Sequence, residues 1–261
     1  DCQQQIAQGA EHISFGDPDF FNGPTHAIRV IMALNQEFPH ITYDATIKIE
    51  HLLAHEELLP LLKKTGCLFI TTAAESVENN ILSILDKGHT NEDFKKVAAK
   101  LHNVGIHLSP TFVPFTPWTT KKGFLRLLET IAELDLIENV APIQLAIRLL
   151  IPNKSYLLDT PEIQPHLLDY NEESLSYSWR NPDESVENLC SEVQAIVETS
   201  SVNQKTRSET FASIYAAARK ACGLKRNNNP FPISSSYYNI PSMSEPWFCC
   251  AEPTKEQLSR L

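Results

Sequence analysis

The adjacent cysteines Cys249-Cys250 and four polar segments, each directly following an apolar run, are the residues of this chain whose types and spacing could do chemistry. Neighbouring cysteines can close only a strained eight-membered ring, so their disulfide is readily reduced and suits redox exchange, metal capture or attack on an intermediate. The first segment, Phe15 to Pro24, holds Gly16, Asp17 and Asp19, with two carboxylates, two glycines and two prolines after a short strand. The second offers Lys48 and Glu50 where a ligand could meet them, and the third offers Glu75 and Ser76 behind Ala73-Ala74, small residues that let a ligand approach the backbone. The fourth, Pro114 to Thr120, is stiff and aromatic and suits a wall against a flat ligand group. Arg148 stands alone in an apolar stretch, where a buried guanidinium needs a carboxylate partner; Asp17 and Glu75 are the candidates. Each segment also has a plainer reading: a turn at Asp17, a carboxylate facing a helix macrodipole at Glu50, a helix cap at Ser76 or Thr119, tail thiols at Cys249 and Cys250.

The elements that would position these side chains alternate. Apolar runs at 12–15, 41–49, 67–72, 106–113 and 141–150 read as strands, and helical spacing follows at 25–38, 52–64, 77–85 with 91–104, and 120–134. Strand-helix alternation implies parallel strands, and Gly66 and Gly105 stand where a left-handed cap turns a helix back toward the sheet. In parallel βα proteins the side chains leaving the carboxyl ends of the strands converge on one rim, which makes the four segments one set. A doubly wound open sheet and a barrel both satisfy this pattern. The reading divides the chain into a βα body over 1–158, a region over 159–223 whose clear elements are helices at 183–199 and 205–222, and an extended tail over 224–261.

Composition excludes several classes. A formal charge of -10 argues against a broad grip on nucleic acid or anionic lipid, and no apolar run approaches the roughly 18 residues of a membrane span. Six scattered cysteines are too few for a disulfide scaffold and read as thiols of a cytoplasmic protein. The phosphate loop, dinucleotide fingerprint, HExxH and nucleophile elbow are all absent, and nine dispersed histidines give no metal-ligand spacing.

Together these segments resemble the radical S-adenosylmethionine (SAM) superfamily. Glu75-Ser76 running through Leu82 and Leu85 to Lys87-Gly88-His89-Thr90 is similar to that superfamily's fourth strand and following helix, and Gly16-Asp17-Pro18-Asp19 resembles a variant of its Gly-Gly-Glu motif. The tail Glu245 to Thr254, with Cys-Cys-Ala-Glu-Pro, resembles the CCAEP/CUAEP-tail radical SAM proteins, some of which carry selenocysteine at the second position. The resemblance implies a partial parallel (β/α) barrel of the radical SAM type with an α-helical appendage and an extended tail. It implies SAM held by Gly16, Asp17, Asp19, Lys48, Glu50, Glu75, Ser76 and Arg148, with the methionyl amine at the first of these sites, and a redox-active Cys249-Cys250 pair.

The superfamily's CxxxCxxC loop, which ligates a [4Fe-4S] cluster, has no counterpart among the six cysteines. The opening stretch Gln3 to Gly9 reads as the end of a first βα unit, so the cluster loop is expected upstream of Asp1 and this chain alone is expected to be inactive. The implied partners are an unidentified substrate and an electron donor such as a ferredoxin or flavodoxin. Two other readings stand beside this one: a parallel α/β enzyme that binds a different anionic ligand on the same rim, and a non-catalytic thiol or metal carrier that works through its cysteine tail.

Overall fold

The computed structural model describes residues 1–225. Its elements follow the alternation: α1 (Cys2–Ala7), β1 (His12–Ser14), α2 (Pro24–Glu37), β2 (Thr42–Thr46), α3 (Ile49–Ala54), α4 (Leu59–Lys64), β3 (Cys67–Glu75), α5 (Asn79–Ile84), α6 (Asn91–Val104), β4 (His107–Phe112) and α7 (Lys121–Glu133). β5 (Leu167–Asn171), β6 (Ser176–Trp179), α8 (Glu184–Val202) and α9 (Arg207–Ala221) complete them. The described residues form two compact units, one of Asp1–Ala74 with Gly88–Thr111, the other of Glu75–Lys87 with 112–225.

The first unit is built on a parallel sheet with strand order β1-β2-β3-β4. Its buried side is apolar: Ile13, Tyr43, Ala45, Ile70 and Leu108 alternate with residues on the opposite face, as the period of two requires. Tyr43 is fully buried and reaches α4, where its hydroxyl meets Oγ1 of Thr65 at 2.8 Å and donates to the Leu62 carbonyl at 3.2 Å. Phe94, Val97, Ala98 and Leu101 of α6 share one buried helical stripe. That helix starts at a capping box formed by Thr90 and Asp93 and stops at Gly105, whose φ is +74°.

The other face is mostly polar. His12, Ser14, Thr42, Asp44, Thr46 and Thr71 fall on it by register together with Phe69, on which the His12 ring stacks, and His107, Ser109 and Thr111 are the partly exposed residues of β4. A doubly wound sheet covered by helices on both faces carries apolar residues on both. A face that carries hydroxyls and a carboxylate can instead offer hydrogen bonds to a ligand.

Three local departures from the sequence reading have identifiable causes. The helix expected over 52–64 is broken into α3, a 3-10 turn at Glu56–Leu58 and α4, because Pro60 lacks an N–H and its ring would strike the carbonyl of Glu56 in a continuous helix. The strand expected over 141–150 shrinks to isolated bridge residues at Arg148 and Leu149, Arg148 pairing in parallel with Phe115, since Pro142 begins a 3-10 turn that runs to Leu145. Inside the region over 159–223, where only helices were expected, lies an antiparallel hairpin, β5-β6, whose turn is held by Asn171 Oδ1 accepting from the amides of Glu173 and Ser174 at 2.8 and 3.1 Å.

In the second unit, α7, α8 and α9 pack together and bury Leu128 and Ile131, Leu189 and Val193, and Phe211 and Ile214. A separate apolar cluster gathers Val113, Ile147, Leu149, Ile151, Ile163 and Trp179 under the hairpin.

Gly66, between α4 and β3, has φ +101°, and a Cβ there would stand 2.8 Å from the Ile41 carbonyl oxygen, within the first unit. Both the backbone region and the space oppose any side chain. Gly66→Ala is expected to lower the unfolding free energy by about 2 kcal/mol in urea titrations, the sum of a left-handed backbone penalty and a clash with rigid backbone. A loss below about 0.5 kcal/mol would show that the turn relaxes freely.

Candidate functional site

In the first unit the exits of β1 and β2 meet at Asp19. Phe20 and Phe21, both buried, anchor the β1 exit loop through a 3-10 turn packed on α3, and Phe21 meets the His55 ring edge-on at 5.8 Å. The anchor drives Asp19 inward. Its side chain is 8% exposed; Oδ1 accepts from the Lys48 backbone N–H at 3.3 Å, and Oδ2 lies 2.7 Å from Nδ1 of His51 and 3.9 Å from Nζ of Lys48. One carboxylate thus ties the first strand exit to the start of α3, where unpaired amides favour negative charge.

Asp17 remains exposed, with Oδ1 accepting from the Asp19 backbone N–H at 2.9 Å. Gly16 is also exposed, and a Cβ there would have nothing within 4 Å, so no contact among the described residues explains its being glycine. Lys48 Nζ lies 3.8 Å from Oε1 of Glu50. The Glu50 carboxylate lies against the backbone of Gly88, where a Cβ would stand 2.1 Å from Oε2. The sequence-predicted residues Gly16, Asp17, Asp19, Lys48 and Glu50 are therefore neighbours around two adjacent strand exits of one unit.

The polar sheet face adds a cluster that sequence reasoning missed. Asp44, buried on β2, accepts from Ser14 at 2.6 Å and lies 2.9 Å from His12 Nε2 through the same oxygen, while His12 Nδ1 meets Oγ1 of Thr42 at 2.8 Å. The carboxylate stands between Ser14 and His12, so the imidazole has no path to the serine proton and the trio is not a nucleophile relay. It presents hydrogen-bonding groups along the wall. A lone acid inside the strand Thr42–Thr46 was the available signal. Next to it Cys67 is buried, and burial followed by the Asp44 charge pushes its thiol up to about 12, which keeps it protonated and unreactive at neutral pH.

Glu75 and Ser76 belong to the second unit. Glu75 closes β3 with φ +58° and is buried, with Oε1 accepting from Lys87 at 2.7 Å, so the ends of the segment 75–87 are pinned together. A left-handed backbone at a non-glycine residue stores strain that the surrounding fold must hold. Ser76 Oγ accepts from the Glu78 amide at 3.1 Å, the local turn that its type favours.

Arg148 meets a carboxylate that the sequence reading did not offer, Glu187. Nη1 donates to Oε2 of Glu187 at 2.8 Å, Nη2 donates to the Trp179 carbonyl at 2.6 Å, and the guanidinium stacks 3.6 Å from the Trp179 ring centroid. Glu187, on α8 and 39 residues away in sequence, presents its carboxylate to the guanidinium fork, while Glu75 accepts from Lys87. Cys249 and Cys250 lie outside the described residues.

Among the described residues no group of three histidines, cysteines or carboxylates could hold a metal ion, and the free cysteines Cys2, Cys67, Cys190 and Cys222 are dispersed, so residues 1–225 do not fit an iron-sulfur cluster. No described helix is long and apolar enough to cross a membrane.

No family model matches this chain, and no curated protein matches it. Solved structures do. The cobalamin-dependent S-adenosylmethionine radical enzyme OxsB, with aqua-cobalamin and S-adenosylmethionine bound, is 13% identical with a TM-score of 0.61, over 75% of this chain and 35% of that one. The radical S-adenosylmethionine methyltransferase TsrM from Kitasatospora setae is 19% identical with a TM-score of 0.45, over 51% of this chain and 26% of that one. The Methanocaldococcus infernus Elp3 is 13% identical with a TM-score of 0.46, over 84% and 47%. The chain spans about a third of the OxsB chain, and the fold it shares with that enzyme is a partial radical SAM barrel.

Proposed function

We propose that this chain is part of a radical SAM enzyme of the CCAEP/CUAEP-tail group and that its first unit carries SAM contacts at the β1 and β2 exits. The observation that carries the reading is the parallel sheet with one hydroxyl-lined face, ending at an acidic, glycine-containing strand exit, on a fold shared with OxsB. In this reading the exposed Asp17 accepts the methionyl ammonium, Gly16 leaves the backbone open to it, and Lys48 and Glu50 meet the carboxylate and a ribose hydroxyl. Asp19 is held inward and supports the loop. Glu75, Ser76 and Arg148, which the resemblance also assigns to SAM, belong to the second unit.

A [4Fe-4S] cluster, with ligands outside residues 1–225, would supply the electron for reductive cleavage of SAM. The chain's own share is to bind and orient SAM and to keep water from the site. Cys249 and Cys250 act as a redox pair, a ferredoxin or flavodoxin supplies the electron, and the protein works in the cytoplasm on a substrate still to be identified.

Equilibrium dialysis of the complete gene product with labelled SAM, followed by anaerobic reconstitution with iron and sulfide and assay for 5′-deoxyadenosine, tests the reading. The wild type is expected to bind SAM and release 5′-deoxyadenosine, and Asp17→Asn to raise the SAM Kd about tenfold through loss of one charge-assisted hydrogen bond. A protein that neither binds nor cleaves SAM ends the proposal; binding indifferent to Asp17→Asn removes this residue from it.

A further inference from the structure

Resting on that reading, we infer that Gly88 is a positioning residue for ligand binding: its missing side chain gives the Glu50 carboxylate a seat beside the β2 exit, and a side chain there would drive that carboxylate out. Both residues lie within the first unit. A Cβ on Gly88 would stand 2.1 Å from Oε2 of Glu50, 2.9 Å from its Cδ and 3.5 Å from Oε1, so the carboxyl head occupies the space that a methyl group would take. Non-bonded heavy atoms rest roughly 3.5 Å apart, and the two cannot coexist.

Gly66 shows by contrast why this glycine serves the site and not the fold. At Gly66 the obstacle is a backbone carbonyl and φ is +101°, so any side chain disturbs the chain path. At Gly88 φ lies outside the left-handed region, and the obstacle is the tip of a side chain that is 41% exposed and free to swing into water. The backbone on both sides of the seat is anchored. Thr90 caps α6 through its box with Asp93, and His89 Nε2 meets the Ala74 carbonyl at 3.3 Å. Glu50 stands in the first turn of α3, between the buried Ile49 and Leu52. An alanine at 88 therefore leaves both backbones in place and moves one functional group. Seated, the carboxylate keeps Oε1 3.8 Å from Nζ of Lys48, so the acid and the base proposed to meet the ligand stand side by side; expelled, it loses that spacing.

Three measurements on the full chain test this. Carboxyl footprinting by mass spectrometry, with carbodiimide and glycine ethyl ester, reads the Glu50 carboxylate without any ligand; urea titration reads the fold, and equilibrium dialysis with SAM reads the site. Gly88→Ala is expected to raise labelling of Glu50 about twofold, as a side chain 41% exposed becomes fully so, while the urea midpoint stays level or rises slightly because alanine restricts the unfolded chain. The SAM Kd is expected to rise about tenfold, the effect of withdrawing one hydrogen bond to a charged group. Glu50→Ala should raise it as much, and the double variant no further, because both changes remove the same contact. Unchanged labelling, an unchanged Kd in a protein that binds SAM, or a double variant clearly weaker than Glu50→Ala overturns the inference. So does a Gly88→Ala variant that fails to fold or loses stability as Gly66→Ala is expected to, since the glycine would then serve the backbone. Labelling that rises as expected in a protein whose wild type does not bind SAM upholds the seat and rejects the SAM reading.

Discussion

Trp179→Ala is expected to lower the unfolding free energy of this protein by about 4 kcal/mol, the range for removing a large buried aromatic side chain. Trp179 is 3% exposed and packs with Val113, Ile147, Leu149, Ile151 and Ile163 in the cluster under the hairpin. Truncation leaves a cavity, because close-packed neighbours relax only in part. Two polar losses add to it: Nε1 donates to the Leu149 carbonyl at 2.7 Å, and the ring carries the Arg148 guanidinium at 3.6 Å. Trp179→Phe keeps most of the packing and loses the indole donor, leaving a buried carbonyl short of a partner, so a smaller cost of about 2 kcal/mol is expected. Urea titration followed by circular dichroism separates the two variants. A cost below 1 kcal/mol for Trp179→Ala would mean that the cluster collapses onto the space, and that the hairpin depends on its own strands instead.

The residues themselves show what the sequence could and could not reveal. The βα alternation is legible because its signals are local: a capping box at Thr90 and Asp93, glycines at positive φ after α4 and α6, and apolar spacing that changes from two to about four residues. The strand exits are legible as well, since parallel topology puts Asp17, Asp19, Lys48 and Glu50 at one end of the sheet before any distance is known. Pairing is not legible. Asp19 meets His51 and Arg148 meets Glu187 across 32 and 39 residues, and nothing local to either acid or base selects one partner over another of the same charge. The hairpin escaped for a different reason. β5 alternates weakly, with Leu168 and Asp169 both exposed, and Pro161 and Pro165 before it resemble the punctuation of a loop. The fifth strand failed at Pro142, where an apolar composition outweighed a residue that begins turns.

Breaking the Arg148 pair from its acidic side gives the second large effect, and the manner of breaking it decides the size. Arg148 and Glu187 side chains are 16% and 27% exposed, so both charges are largely out of water. Glu187 also accepts from the Asn181 amide at 2.6 Å, and Asn181 donates through Nδ2 to the carbonyls of Thr116 and Thr119 at 3.2 and 2.9 Å. Glu187→Ala removes the carboxylate that faces the guanidinium and strips the acceptor from the Asn181 amide. The expected loss is about 3 kcal/mol, at the low end for an uncompensated buried charge because the pair is not wholly enclosed. The double variant Arg148→Met with Glu187→Leu removes both charges and refills the space, and should recover most of that loss, since desolvation of a buried pair offsets much of its attraction. Chemical denaturation of Arg148→Met, Glu187→Leu and the double variant closes the cycle. If the double variant is as unstable as Glu187→Ala, the acceptor for Asn181 rather than the ion pair holds this region together, and Glu187→Gln, which keeps an oxygen there, should then retain wild-type stability.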